Sequence, residues 1–234
     1  MVTVAQPVSA RPGSRLHRLL WAAMILLCLI GAAAVVRRMV ALNSPAANPR
    51  APALEDLDAH FAAKAALTYV HITMGLVFVA LVPLQFVSSL RNRKPQLHRM
   101  VGRVVLIAGV VAGATAFGMV LRTPVGGANE VAATTFFGSL FLFSLGKAFW
   151  FIRHRNVVLH REWMIRAVAI ALGIATTRPI MGAFFATMML THLTPQQFFG
   201  TAFWLGFSIN YVVAEAWLNH TRVPGDPSVT RGLQ

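Results

Sequence analysis

Four side chains in this sequence have the type and placement to do chemistry inside an apolar chain: His71, His98, His160 and Arg178. Each falls within or at the end of a long hydrophobic run, where an ionisable group is costly to keep and is a functional candidate by default. Neutral imidazole is a good axial ligand for haem iron, and two histidines on two helices are a standard way to hold haem b. His98 and His160 are the candidate metal ligands in that sense; two histidines alone make a poor structural zinc site. The competing reading is that both rings contact lipid phosphate beside the arginines that flank them. His71 suits haem or metal ligation, proton handling, or a plain hydrogen bond to a neighbouring helix. Arg178 precedes Pro179 in mid-helix, so its permanent charge must face the bundle interior or a wet cavity. It suits a haem propionate, a quinone headgroup or an anionic substrate. Alternatively, carbonyls freed by the Pro179 kink satisfy it.

Composition dictates the elements that carry these residues. Of 234 residues, 56% are hydrophobic and only 12% charged, and the mean hydropathy is +0.63. Soluble domains carry roughly 25% charged residues, so a soluble enzyme, a disordered chain and a disulfide-stapled domain are all excluded. Cys28 is the single cysteine. The chain reads as a polytopic membrane protein. Its formal charge of +14 does not point to nucleic acid, because the basic residues sit in short clusters between apolar runs and suit anionic lipid headgroups.

A spanning helix needs about 20 apolar residues, and six stretches qualify: Leu19–Val36, Leu67–Leu90, Val104–Leu121, Ala132–Ile152, Met164–Leu190 and Phe198–Leu218. With the N-terminus inside, fifteen Lys and Arg fall on the cytoplasmic side and five (Arg37, Arg38, Arg50, Lys64, Arg122) on the other. That bias places both termini in the cytoplasm. The Arg37–Arg38 pair is the local exception. The first run has a basic lead-in and an Ala32-Ala33-Ala34 stretch open to signal-peptide cleavage, but its apolar core is long for an h-region and reads as an uncleaved anchor. Ala41–Ala53, rich in Pro, Ala and Asn, reads as an external linker, and the turn-rich tail from Val223 as disordered.

Two cytoplasmic turns share one pattern. Arg91–Arg99 reads RNRKPQLHR and Arg153–Arg161 reads RHRNVVLHR, both R-x-R-x-x-x-L-H-R at an offset of 62. Each follows a span running inward and precedes one running outward. The reading is an all-α polytopic transmembrane helical bundle of about six spans. Its four-helix core is built from two parallel hairpin repeats, with the first and last spans packed outside. The segments are a cytoplasmic stretch 1–18, a first anchor 19–36, an external linker 37–60, a five-span domain 61–218 and a cytoplasmic tail 219–234. The pattern places His98 and His160 at equivalent cytoplasmic helix starts.

Secondary roles follow from position. If one helix runs on from near Asp56, His60 and His71 lie on one face about 16 Å apart and line one pathway. Gly109 and Gly113 form a G-x-x-x-G for close helix approach. Gln85 and Asn210 read as interhelical hydrogen-bond glue. Glu215, near the inner surface, is expected to meet Lys147, Arg166 or Arg103 rather than Arg178. Trp150, Trp163, Trp204 and Trp217 read as interfacial anchors. No P-loop, G-x-S-x-G, H-E-x-x-H or cysteine pair is present, which argues against hydrolase and nucleotide-driven activities.

The segments HITMGLVFVALVPLQF (His71–Phe86), LHRMVGR (Leu97–Arg103) and HREWMIR (His160–Arg166) resemble a broad bacterial family of predicted polytopic membrane proteins, a domain of unknown function. The resemblance covers roughly Phe61 to Trp217, with HRxWMxR its most specific element. It implies a multi-pass protein of the cell membrane with no established activity. The leading functional expectation is a haem-b or quinone-linked redox protein that uses intramembrane His and meets a quinone or redox partner. The alternatives are a small-molecule transporter or permease and a non-catalytic membrane assembly factor.

Overall fold

The computed structural model describes residues 15–44, 52–122 and 124–222. The tail from Val223, most of the N-terminal segment and the centre of the linker lie outside the described residues. Those described form helices only: α1 Arg15–Asn43, α2 Pro52–Ala62, α3 Ala65–Phe86, α4 Ser88–Arg93, α5 Pro95–Val120, α6 Gly127–Arg153, α7 Val157–Thr191 and α8 Pro195–Thr221. Five of them, α1, α3, α5, α6 and α7, are long and apolar enough to cross a membrane. The chain is therefore an all-α multi-pass membrane protein. The sixth expected span, α8, is a 27-residue helix but is not one of those five; Gln196, Gln197, Asn210, Glu215 and Asn219 dilute its apolar content.

The helices overrun the hydropathic stretches at most ends. α5 begins at Pro95 and α7 at Val157, well before the apolar runs, because a helix continues through the headgroup zone where hydropathy no longer reports it. α3 does the reverse. Its C-cap Val87 is extended, and the residues after it turn into α4, so the inner end of the expected Leu67–Leu90 span is two helices. The external linker is also partly helical, being shared between the end of α1 and α2.

Spatial neighbours run α1, α3, α5, α6, α7 and back to α1, with α8 outside on α7 and α6. The first span thus lies between α3 and α7, with Gly31 set against Val79 of one and Ala175 of the other. Phe78, Val105, Phe141, Leu145 and Leu172 fill the middle of the bundle. A smaller cluster with Leu57, Ala133, Met181 and Phe199 closes one end. Cys28 is buried in the main cluster, and cleavage after Ala34 would remove both it and Gly31. The intact mass of the purified protein is therefore expected to retain residues 1–34; a mature chain starting at Val35 would contradict that.

Small residues set the helix spacing. A Cβ on Gly109 would lie 2.9 Å from Leu145 and 3.0 Å from Phe78, and one on Gly113 would lie 2.6 Å from Leu142, so the G-x-x-x-G seats α5 against α3 and α6. The tighter seam joins α7 and α8. There a Cβ on Gly173 would lie 2.9 Å from the Phe207 Cα, and one on Gly206 would lie 2.9 Å from the Gly173 carbonyl oxygen. Backbone cannot move aside as a side-chain tip can. Gly206→Val is expected to cost about 1–3 kcal/mol of stability through overpacking, read as a lower midpoint in thermal unfolding of the detergent-solubilised protein.

Candidate functional site

The four site residues do not converge. His160 and Arg178 lie on one helix, α7, eighteen positions apart, which at 1.5 Å per residue is ~27 Å. That is nearly the thickness of a hydrocarbon core, about 30 Å. The structure therefore holds two separate polar sites, His98 with His160 at one end and His71 with Arg178 towards the other.

At the first, both histidines occupy the fourth residue of a helix, α5 and α7, whose starts are themselves 62 positions apart. They belong to different helices, yet their rings lie within electrostatic range of one another. The His160 Nδ1–H donates to the Ala148 carbonyl oxygen at 2.9 Å, which fixes the tautomer and leaves Nε2 as the free ligand atom. His98 Nδ1 is buried with no hydrogen-bond partner among the described residues. Gln85 on α3 shares that condition at Nε2. Its Oε1 would lie 3.1 Å from a Cβ on Gly102, one turn beyond His98. Gln85 is therefore not simple interhelical glue, whereas Asn210 is: it accepts from Thr176 at 2.8 Å and donates to the Ala169 carbonyl at 3.1 Å.

At the second, the His71 Nδ1–H points at the Ala112 carbonyl oxygen, 3.0 Å away, with the Thr115 hydroxyl oxygen at 3.1 Å. A carbonyl only accepts, so Nδ1 carries the proton and Nε2 presents a lone pair. Arg178 keeps much of its surface accessible, with Arg37, Arg38 and His71 in electrostatic range. The Arg37–Arg38 exception to the charge bias has its reason here. Arg37 grips Asp58 through two hydrogen bonds at 3.0 and 2.7 Å, Arg38 meets the same carboxylate, and the Arg38 guanidinium lies 4.1 Å from the centre of the Phe61 ring.

His60 does not share a helical face with His71, because the chain breaks between α2 and α3 at Ala63 and Lys64. His60 lies 3.1 Å from the Lys64 ammonium and lines a cavity of about 320 Å³ with Asp56, Thr194 and Gln196. Leu57, Val125 and two prolines also line that cavity, which shares no residue with either histidine site. Burial pushes the Lys64 ammonium below its ordinary value.

The HREWMIR segment divides between two faces of α7. His160 turns to the interior, while Glu162 and Arg166 enter an ion network with α8. Arg166 binds Glu215 at 2.6 and 3.0 Å and lies 3.6 Å from Glu162. Arg222, just past α8, holds Glu162 at 3.1 and 2.7 Å; that pairing raises the Arg222 guanidinium above its usual value. Arg166 is one of the three partners expected for Glu215. Trp150 is half exposed, as an interfacial anchor would be. Trp204 is partly buried, donates to Asn129 in the first turn of α6 at 3.0 Å and packs on Phe136 and Phe137.

No curated protein and no solved structure matches this chain. Residues 68–218 match the family described as predicted membrane protein (DUF2306). That stretch carries His71, both Leu-His-Arg turns, Arg178 and the Glu162, Arg166 and Glu215 members of the ion network, and by it the chain belongs to the DUF2306 family of predicted membrane proteins.

Proposed function

We propose that the protein is a membrane redox protein that binds haem b between His98 and His160 near the cytoplasmic ends of α5 and α7. The observation that carries this reading is two imidazoles from different helices brought within range of each other. One has its Nδ1 committed to a carbonyl, and the other sits beside a second unpartnered polar group, Gln85. A ligating histidine ordinarily donates its other ring nitrogen to a backbone carbonyl, as His160 does. Arg91 and Arg99, both within range of His98, would balance propionate charge. Haem bound there supplies one-electron ferric–ferrous exchange; a quinone or another redox partner is the class that would deliver or take the electron. Arg178 is too distant along α7 to serve the same group.

The coincident starts of α5 and α7 support the two-hairpin repeat, and the fifteen-to-five bias of basic residues supports both termini in the cytoplasm. α8 completes the six spans in this reading, with Asn210 and Glu215 turned to α7. A permease is the second reading, favoured by an accessible Arg178 in the middle of a long apolar helix. The test is a dithionite-reduced minus air-oxidised absorption spectrum of the purified protein. A sharp α-band with a shifted Soret peak at near-stoichiometric haem is expected; a flat spectrum from protein expressed with ample haem overturns the assignment.

A further inference from the structure

We propose that the open space between α1, α3 and α7 in the outer half of the bundle binds an oxyanion, a carboxylate or phosphate, that carries its own hydrogen-bond donor. The proposal stands independently of haem, since the space lies ~27 Å along α7 from His160.

Charge requires an anion there. Arg37, Arg38 and Arg178 are mutually within range, and a single carboxylate, Asp58, already paired with the first two, faces them. Among the described residues, no carboxylate pairs with Arg178. Glu162 and Glu215 are held at the other end of α7 by Arg166 and Arg222. Glu130 accepts from the Gly126 amide at 2.7 Å, and Glu55 and Asp56 sit exposed on α2. A guanidinium inside a membrane protein needs a counter-charge or a wet cavity, and here the protein leaves that place open.

Shape agrees. A Cβ added to Gly75, one turn from His71, or to Gly182, one turn from Arg178, would meet no atom within 4 Å. Both glycines therefore leave room on the faces that carry the two polar side chains. His71 adds selectivity. Its Nδ1–H is committed to Ala112, so a neutral ring accepts at Nε2, and a ligand with an O–H or N–H beside its negative oxygens complements it. Hydrogen phosphate and hydroxycarboxylates satisfy this. Sulfate does not.

The experiment is thermal unfolding of the full-length protein in a phosphate-free alkyl-glycoside detergent, titrated with sodium phosphate, sodium lactate, sodium sulfate and sodium chloride at constant ionic strength. A ligand that binds only the folded state raises the midpoint saturably. Phosphate and lactate are expected to raise it, sulfate to bind about tenfold more weakly for want of one hydrogen bond to the site, and chloride to have no effect. Arg178→Gln should abolish the shift. Gly182→Leu and Gly75→Leu keep every charge and fill the space, so either should abolish it in a protein that still folds. A shift from short-chain phosphatidic acid but not from inorganic phosphate would identify the oxyanion as a lipid headgroup. Equal shifts with chloride, or an undiminished phosphate shift in the filled variants, would overturn the site. So would a shift with a neutral hydroquinone alone.

Discussion

His98→Ala and His160→Ala are each expected to abolish the haem absorption bands, whereas His71→Ala leaves them at wild-type intensity. The size of the effect follows from coordination. A haem that would be held by His98 and His160 would lose one of its two protein ligands in either variant, and the bands would go as the weakened site releases the haem. The two variants differ in a second respect. His160 is tethered to Ala148 on α6, so its replacement also frees a buried carbonyl, while His98 has no such bond to lose at Nδ1. His160→Ala should therefore lower thermal stability even in haem-free protein, and His98→Ala should not. A removed band in His71→Ala, with both other variants unaffected, would move the ligand site to the outer half and refute the pairing.

Glu162→Ala is expected to destabilise the protein by about 1–3 kcal/mol, the cost of removing a buried hydrogen-bonded partner. Its carboxylate receives Arg222 at 2.7 Å and stands 3.6 Å from Arg166, and both Glu162 and Arg166 are buried. The Arg222 side chain is 38% exposed, so solvent offsets part of the loss of its partner. Arg166 keeps Glu215 in the variant, so the loss falls first on Arg222 and the end of α8. The measurement is thermal unfolding in detergent, with limited proteolysis after Arg222 as the local readout. A midpoint within a degree of wild type would show that the network is solvated and worth little. Glu215→Gln makes a milder companion, since it retains hydrogen bonds to Arg166 and half exposes the loss.

Most of the long apolar helices were readable from the sequence. Hydropathy alone located five of the long helices, because a backbone in lipid must satisfy its own hydrogen bonds and a spanning helix must be apolar throughout. Glu215 meeting Arg166, Asn210 bridging α8 to α7 and the packing of Gly109 and Gly113 were also legible, since each depends on depth in the membrane and on one neighbouring helix. The relative heights of His160 and Arg178 were already implicit in their spacing on α7, and with them the division into two sites.

What the sequence could not express is who stands beside whom around the bundle. Hydropathy has no angular term, so nothing in it places α1 between α3 and α7 or sets Gly31 against Val79 and Ala175. The same limit hid the partner of Arg37 and Arg38, because Asp58 reaches them only when α2 folds back over the end of α1. It also hid the break at Lys64, which turned an apparent His60–His71 face into two unrelated positions. The seam of Gly173 and Gly206 carries no motif, since the two lie on different helices and their closeness is a fact of packing. Composition and periodicity thus located five long apolar helices and the position of each polar group along them. Only the tertiary structure decided which polar groups face one another, because lateral packing in a bilayer rests on the shape of the contacting surfaces rather than on hydrophobicity.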